Sequence, residues 1–114
     1  MKQIFICVVA AFAVALIVNR AEAAETWISC TPFEIATYPN RVHVRCAAAV
    51  GGLSFFAAGT QDTAYAARVL SVITAAQVAG RTLNILYDPA DQSGTAIGCQ
   101  VADCRLIRAV GFGR

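Results

Sequence analysis

The sequence has few charged residues and almost no lysine or histidine. Lys2 is its only lysine, His43 is its only histidine, and 14% of the residues are Asp, Glu, Lys or Arg. A surface that binds nucleic acid needs clustered Lys and Arg, so the composition argues against a nucleic-acid partner. A single histidine leaves little basis for a Ser-His-Asp site, and no nucleophile-elbow motif accompanies it. We therefore predict that the protein is not an enzyme.

Motifs for metals and cofactors are also missing. The chain has no glycine loop that could cradle a phosphate. Cys99 and Cys104 have no second close cysteine pair, and His43 lies far from them in sequence, so a zinc site is not indicated. Helix capping and turn formation account for Asp62 and Asp88. We expect no metal ion and no cofactor.

The first 23 residues have the pattern of a secretory signal peptide. Lys2 precedes an apolar run from Ile4 to Val18, and Ala21-Glu22-Ala23 provides a small-x-small cleavage site. A membrane span needs roughly 20 apolar residues, and this run is shorter. We predict a signal peptide over 1–23, a single domain over 24–114, and no membrane span after cleavage. The protein is then expected to be secreted or periplasmic.

Cleavage would leave a small, nearly neutral domain with four cysteines. Seven Arg then stand against six Asp and Glu. Four cysteines in an exported chain predict two disulfides, for which three pairings are possible. Cys30 and Cys46 flank a predicted hairpin at 38–41, and Cys99 and Cys104 can close a small loop. We favour the pairs Cys30–Cys46 and Cys99–Cys104.

Alternating apolar residues predict five strands, and one segment with 3.6-residue spacing predicts a helix. The helix begins after the capping residue Asp62 and ends before Gly80. A single helix between strands 3 and 4 of a small β-rich chain indicates a five-stranded OB-type barrel, mainly β and stabilised by disulfides. The predicted strands are 33–38, 41–46, 53–58, 81–87 and 104–110, with the helix over 62–79.

The order of polar and apolar residues describes two surfaces of this predicted fold, one on the second strand and one on the helix. In the second strand, His43 and Arg45 alternate with Val42 and Val44, so we expect His43 to be exposed. The outer side of the helix carries mostly small and weakly polar residues. It is either an ordinary solvated face or a face that packs against copies of the same chain.

The segment Gly80-Arg-Thr-Leu-Asn-Ile-Leu-Tyr-Asp-Pro89 after the helix, together with the late pair Cys99 and Cys104, resembles the B subunit of subtilase cytotoxin and its typhoid-toxin relatives. The strand around Val44-Arg45-Cys46 is similar too, and the resemblance covers roughly 28–110. It implies an OB fold, a ring of five subunits with the helices lining a central pore, sialylated glycans as ligands, and a catalytic A-type subunit as partner.

The same resemblance implies ligand-binding residues. Tyr87 matches a strand tyrosine that contacts sialic acid in that family, and Ser29 or Thr31 stands nearest to its sugar-contacting serine. Two departures lie close to this site. The third strand lacks the cysteine that joins the second and third strands in the family, and the loop after the fourth strand is shorter.

The predicted function is recognition of cell-surface glycans, which the resemblance implies to be sialylated, by a secreted, non-catalytic homo-oligomer. The alternative is a secreted or periplasmic module that binds a protein through the barrel or an open strand edge.

Overall fold

The computed structural model describes residues 24–113, and the predicted signal peptide over 1–23 lies outside them. Within this part of the chain, seven strands, one α-helix and one 3-10 helix alternate. In chain order they are β1 Thr26–Cys30, β2 Pro32–Tyr38, β3 Arg41–Val50, β4 Leu53–Gly59, α1 Thr63–Val78, β5 Leu83–Tyr87, a 3-10 helix Ser93–Ile97, β6 Cys104–Leu106 and β7 Ala109–Gly111. The mainly β fold with one helix is confirmed. None of the helices in the described residues is long and apolar enough to cross a membrane.

The strands form two open sheets, so the predicted closed five-stranded barrel is wrong. One sheet has the order β1-β5-β7 and the other β2-β3-β4-β6. The predicted fifth strand over 104–110 is divided between them. Ile107 N–H donates to Ala57 O and Arg108 N–H to Leu86 O, each at 2.8 Å, so the chain crosses from one sheet to the other here. Neighbouring peptide groups thus bond to strands of different sheets.

The prediction also missed strand β1. Its five residues pair antiparallel with β5, from Thr26 opposite Tyr87 to Cys30 opposite Leu83. Only Thr31 separates β1 from β2, and its carbonyl accepts a hydrogen bond from Ala47 N–H at 2.8 Å. The chain therefore passes from the three-stranded to the four-stranded sheet within one residue.

Helix α1 covers the inner faces of both sheets. Asp62 Oδ1 accepts from Tyr65 N–H at 3.0 Å, which confirms the predicted cap. One face of the helix is buried through Ala66, Val69, Ile73 and Ala76. The largest fully buried side chains that it joins are those of Phe56, Leu83, Ile85 and Val44. Burial of this apolar area is the main stabilising term of the domain.

Both predicted disulfides are present, Cys30–Cys46 and Cys99–Cys104. Cys30 ends β1 in one sheet and Cys46 lies on β3 in the other, so this bridge joins the two sheets across the core. Cys99–Cys104 closes a short loop directly before β6. One disulfide therefore fixes the sheets to each other, and the second shapes the loop beside the four-stranded sheet.

Candidate functional site

Tyr87 lies in the core and not on an open surface. Its side chain is 5% exposed, and its ring packs edge-on against Phe56 with centroids 5.1 Å apart. The hydroxyl points toward the turn between β3 and β4, where a Cβ on Gly51 would lie 3.5 Å from it. A sugar stacks on an exposed ring face, and this ring has none to offer.

Ser29 and Thr31 do not join Tyr87 in one site. Ser29 pairs with Asn84, and successive residues of a strand point to opposite faces of its sheet. Ser29 therefore shares the outer face with Asn84, whereas Tyr87 points inward. Thr31 is exposed at the junction between the sheets. Ser29 instead borders a shallow polar groove with Arg81, Thr82 and Asn84.

A different cluster forms on the outer face of the four-stranded sheet. Strand pairing places Tyr38 beside Arg41 and Arg45 beside Phe55. The His43 ring lies between Tyr38 and Phe55, with centroid distances of 5.3 and 5.4 Å. The Arg41 guanidinium lies 4.1 Å from the centroid of the Tyr38 ring. Side chains from three strands therefore meet at one place.

The loop between β5 and β6 covers part of this cluster. Cys99–Cys104 closes its end, and Cys99 and Cys104 pack on Ala57. Arg41 Nη1 donates to Ile97 O at 2.9 Å. Gly98 has φ +88°, and a Cβ there would lie 2.8 Å from Arg41 Nη1, so the loop needs glycine at this position.

The start of the same loop is held by charge. Arg108 Nη2 lies 2.9 Å from Asp91 Oδ2, and Ser93 N–H donates to Asp91 Oδ1 at 2.9 Å. The hydrogen bonds from Ser93, and then the Arg108 guanidinium, hold the pKa of Asp91 below its ordinary value. Asp91 is therefore ionised at neutral pH and fixes the loop to the segment before β7.

A pocket of about 170 Å³ remains between the loop and the sheet. We call it the loop pocket. It is lined by Arg41, His43, Phe55, Gly98, Gln100, Asp103 and Cys104.

His43 is the most unusual residue of the loop pocket. It is 8% exposed, and within residues 24–113 its Nε2 atom is buried without a hydrogen-bond partner. Glu34 Oε1 lies 3.5 Å from Nε2, close enough to attract a protonated imidazole but outside hydrogen-bond geometry. A buried polar atom without a partner costs about 1–3 kcal/mol.

Gln100 and Asp103 are positioned by their backbones. Gln100 O accepts from Cys104 N–H at 2.9 Å, and Asp103 O accepts from Phe55 N–H at 3.0 Å. These bonds fix the loop on β4 and β6, and both residues line the loop pocket. An amide-bearing and a carboxylate-bearing residue thus lie beside residues that carry an imidazole, a guanidinium and an aromatic ring. Such a set can bind a polar ligand through several hydrogen bonds.

The expectation that His43 is exposed is wrong. Its strand face was assigned correctly, but the disulfide-closed loop covers that face. Arg41, Gln100 and Asp103 were not predicted from the sequence to be ligand contacts. The available signal was the alternation of His43 with Val42 and Val44, combined with a cysteine-closed loop that had to pack on some part of the sheet.

The residues that the structure describes contain no group of three or more His, Cys, Asp or Glu that could hold a metal ion.

Comparisons with known proteins matched no family model, no curated protein and no solved structure. The resemblance to the B subunit of subtilase cytotoxin therefore stays a prediction.

Proposed function

We propose that the protein is an exported, non-catalytic binding protein that recognises cell-surface glycans through the loop pocket. The observation that carries this proposal is the loop pocket itself, in which Arg41, His43, Gln100 and Asp103 lie together beside Phe55. A pocket with a few converging polar groups beside an aromatic residue is typical of a ligand-binding site.

Sugars fit the chemistry of this pocket. They are held by an aromatic surface against their C–H groups and by a few directed hydrogen bonds from amide, carboxylate and basic side chains. Phe55 supplies the ring, and Gln100, Asp103 and Arg41 supply the polar groups. In this proposal Ser29 and Thr31 lie outside the main site, and Tyr87 contributes at most its hydroxyl.

The proposal includes assembly into a ring of five and a catalytic A-type partner, as the toxin resemblance implies. The outer side of α1 supports self-association. Ala64, Ala67, Ser71 and Ala75 are exposed there, and Val78 is 84% exposed. Small side chains allow helices to approach closely.

A glycan-array screen of the purified, oxidised protein, with its mass in solution measured on the same sample, tests the proposal. We expect saturable binding by the wild type and at least a tenfold loss in His43→Leu. Leu removes the imidazole but keeps an apolar side chain of similar size in the covered position. Ser29→Ala serves as the matched control on the other sheet and should bind as the wild type does.

Unchanged binding by a folded His43→Leu protein would contradict the assignment of the loop pocket. A protein that binds no glycan at all would contradict the function itself. A monomer would contradict the ring.

A protein-interaction module is the second candidate, and exposed aromatic residues on edge strands favour it. Trp27 on β1 is 57% exposed and Phe33 on β2 is 64% exposed. Both strands lie at the edge of their sheets. A free edge can pair with a strand of another protein. A monomer without glycan binding would support this candidate.

A further inference from the structure

The groups that face the loop pocket are nearly balanced in charge. Arg41 contributes one positive charge and Asp103 one negative charge to its lining. Glu34 adds a second carboxylate, 3.5 Å from His43 Nε2. Arg45 lies farther out, with its guanidinium 5.7 and 5.8 Å from the centroids of the Phe33 and Phe55 rings. The pocket therefore has no excess of positive charge for an anionic ligand.

Arg41 carries the one guanidinium among the residues that line the loop pocket, and part of its hydrogen-bonding capacity is already used. Arg41 Nη1 donates to Ile97 O at 2.9 Å and to Asn40 Oδ1 at 3.3 Å. Its planar group also lies 4.1 Å from the centroid of the Tyr38 ring. Bidentate binding of a carboxylate needs two free parallel N–H groups of a guanidinium. Arg41 Nη1 is committed to the loop, so this arrangement does not favour a ligand carboxylate.

Asp103 in the lining of the loop pocket favours a ligand hydroxyl over a ligand carboxylate. A hydroxyl can donate a hydrogen bond to the carboxylate of Asp103 as well as accept one from a neighbouring donor. An ionised carboxylate can only accept, and it would be repelled by the like charge of Asp103.

The size of the pocket limits the ligand to a small group. Pockets for drug-sized ligands measure roughly 300–1,000 Å³, and the loop pocket measures about 170 Å³. One sugar residue at the end of a chain is a suitable occupant, with the rest of the glycan outside. The Phe55 ring offers an apolar surface to the C–H groups of that residue.

From these observations we infer that the loop pocket selects a neutral terminal sugar residue and rejects sugars that carry a carboxylate. This inference rests on the proposed glycan-binding function and departs from the sialylated ligand that the toxin resemblance implies. Asp103 accepts hydrogen bonds from ligand hydroxyls, Gln100 donates and accepts, and the His43 residue forms part of the wall.

The test compares neutral with sialylated and uronic-acid-terminated structures on one array, followed by titration of methyl glycosides of the hits by NMR. We expect the wild type to bind neutral termini at least tenfold more tightly than acidic ones. Asp103→Asn should lower the affinity for the neutral glycoside about tenfold. It should also reduce the difference in affinity between the neutral and the acidic glycoside, because the repelling charge is removed. Ser29→Ala should change neither value.

The outcomes separate the two proposals. Preferential binding of acidic termini overturns the inference and leaves glycan recognition intact. Binding of neutral termini with an unchanged affinity in Asp103→Asn also overturns it, since the sugar then lies elsewhere. Absence of binding to every glycan overturns the proposed function together with the inference. Circular dichroism of each variant confirms that the fold is kept.

Discussion

The same strands form both faces of the four-stranded sheet, but the inner face is apolar and the outer face carries polar and aromatic side chains. The inner face places Val44 and Phe56, each 0% exposed, against the apolar side of α1. The outer face places Arg41, His43 and Phe55 under a polar loop. On β3 the change happens between two neighbouring residues, since Val44 is buried in the core and His43 in the loop pocket.

This difference concerns stability. The inner face is filled by apolar side chains whose burial stabilises the fold. The outer face buries an imidazole whose Nε2 has no partner among the described residues, which destabilises it. In the proposed function this cost is tolerated because His43 forms part of the binding pocket.

The largest effects should come from the disulfides. In the loop-entropy estimate, Cys30–Cys46, with a sequence separation of 16, stabilises by about 3 kcal/mol, and Cys99–Cys104, with a separation of 5, by about 2 kcal/mol. The double variant Cys30→Ala with Cys46→Ala should therefore lose more stability in urea unfolding than Cys99→Ala with Cys104→Ala.

Removal of Cys99–Cys104 should cost less stability than removal of Cys30–Cys46, but it should weaken glycan binding more. Opening the Cys99–Cys104 loop releases the cover of the loop pocket while the core stays packed. If the double variant Cys99→Ala with Cys104→Ala keeps its glycan binding, the loop does not shape the site.

Substitution of Val44 should lower the free energy of unfolding, whereas substitution of its neighbour His43 should leave it unchanged or raise it. Val44→Ala removes buried methyl groups and should cost about 2 kcal/mol of unfolding free energy. His43→Leu removes a buried group without a partner and should leave stability unchanged or raise it by about 1 kcal/mol. Urea denaturation of the two variants measures both. A loss of more than about 1 kcal/mol in His43→Leu would mean that the imidazole serves the fold.

The smallest effect concerns the ion pair that holds the start of the loop. The pKa of Asp91 is lowered in the folded protein, so its contribution is present above the ordinary value of 3.8 and is lost as the pH falls through the folded pKa. Asp91→Asn keeps an acceptor for Ser93 N–H but removes the charge. We expect a loss of about 0.5–1 kcal/mol at pH 7.

That loss should decrease as the pH falls below the ordinary value of 3.8 and through the folded pKa, because the wild-type carboxyl then becomes protonated as well. Thermal unfolding of both proteins over a series of pH values from neutral to acid measures it. A loss that stays equal over the whole series would mean that the charge of Asp91 plays no part.

Local patterns predicted the elements better than their arrangement. The helix is readable because Asp62 caps it and its apolar residues recur on one face, which are effects within a few residues. The β3 strand is readable from its alternation. Strand β1 was missed although Ile28 and Cys30 alternate with Trp27 and Ser29, because the segment is short and begins close to the predicted cleavage site.

The candidate site was harder to predict because its parts are distant in sequence. Arg41 and His43 come from β3, whereas Gln100 and Asp103 come from a loop nearly 60 residues later. Nothing in the local sequence says which face of the sheet that loop covers. The burial of Tyr87 was hard to predict for a similar reason, since the alternation that places it on a strand does not decide which face points into the core.

The helix, most of the strands and both disulfide pairs follow from the local sequence, because capping, periodicity and cysteine spacing act over short distances. The arrangement of the strands in two open sheets, with β6 and β7 in different ones, follows from tertiary packing. The same packing places a loop over His43 and leaves its Nε2 without a hydrogen-bond partner among residues 24–113. These features depend on which segments pack together, and packing is settled by the burial of the whole chain and not by any one stretch of it.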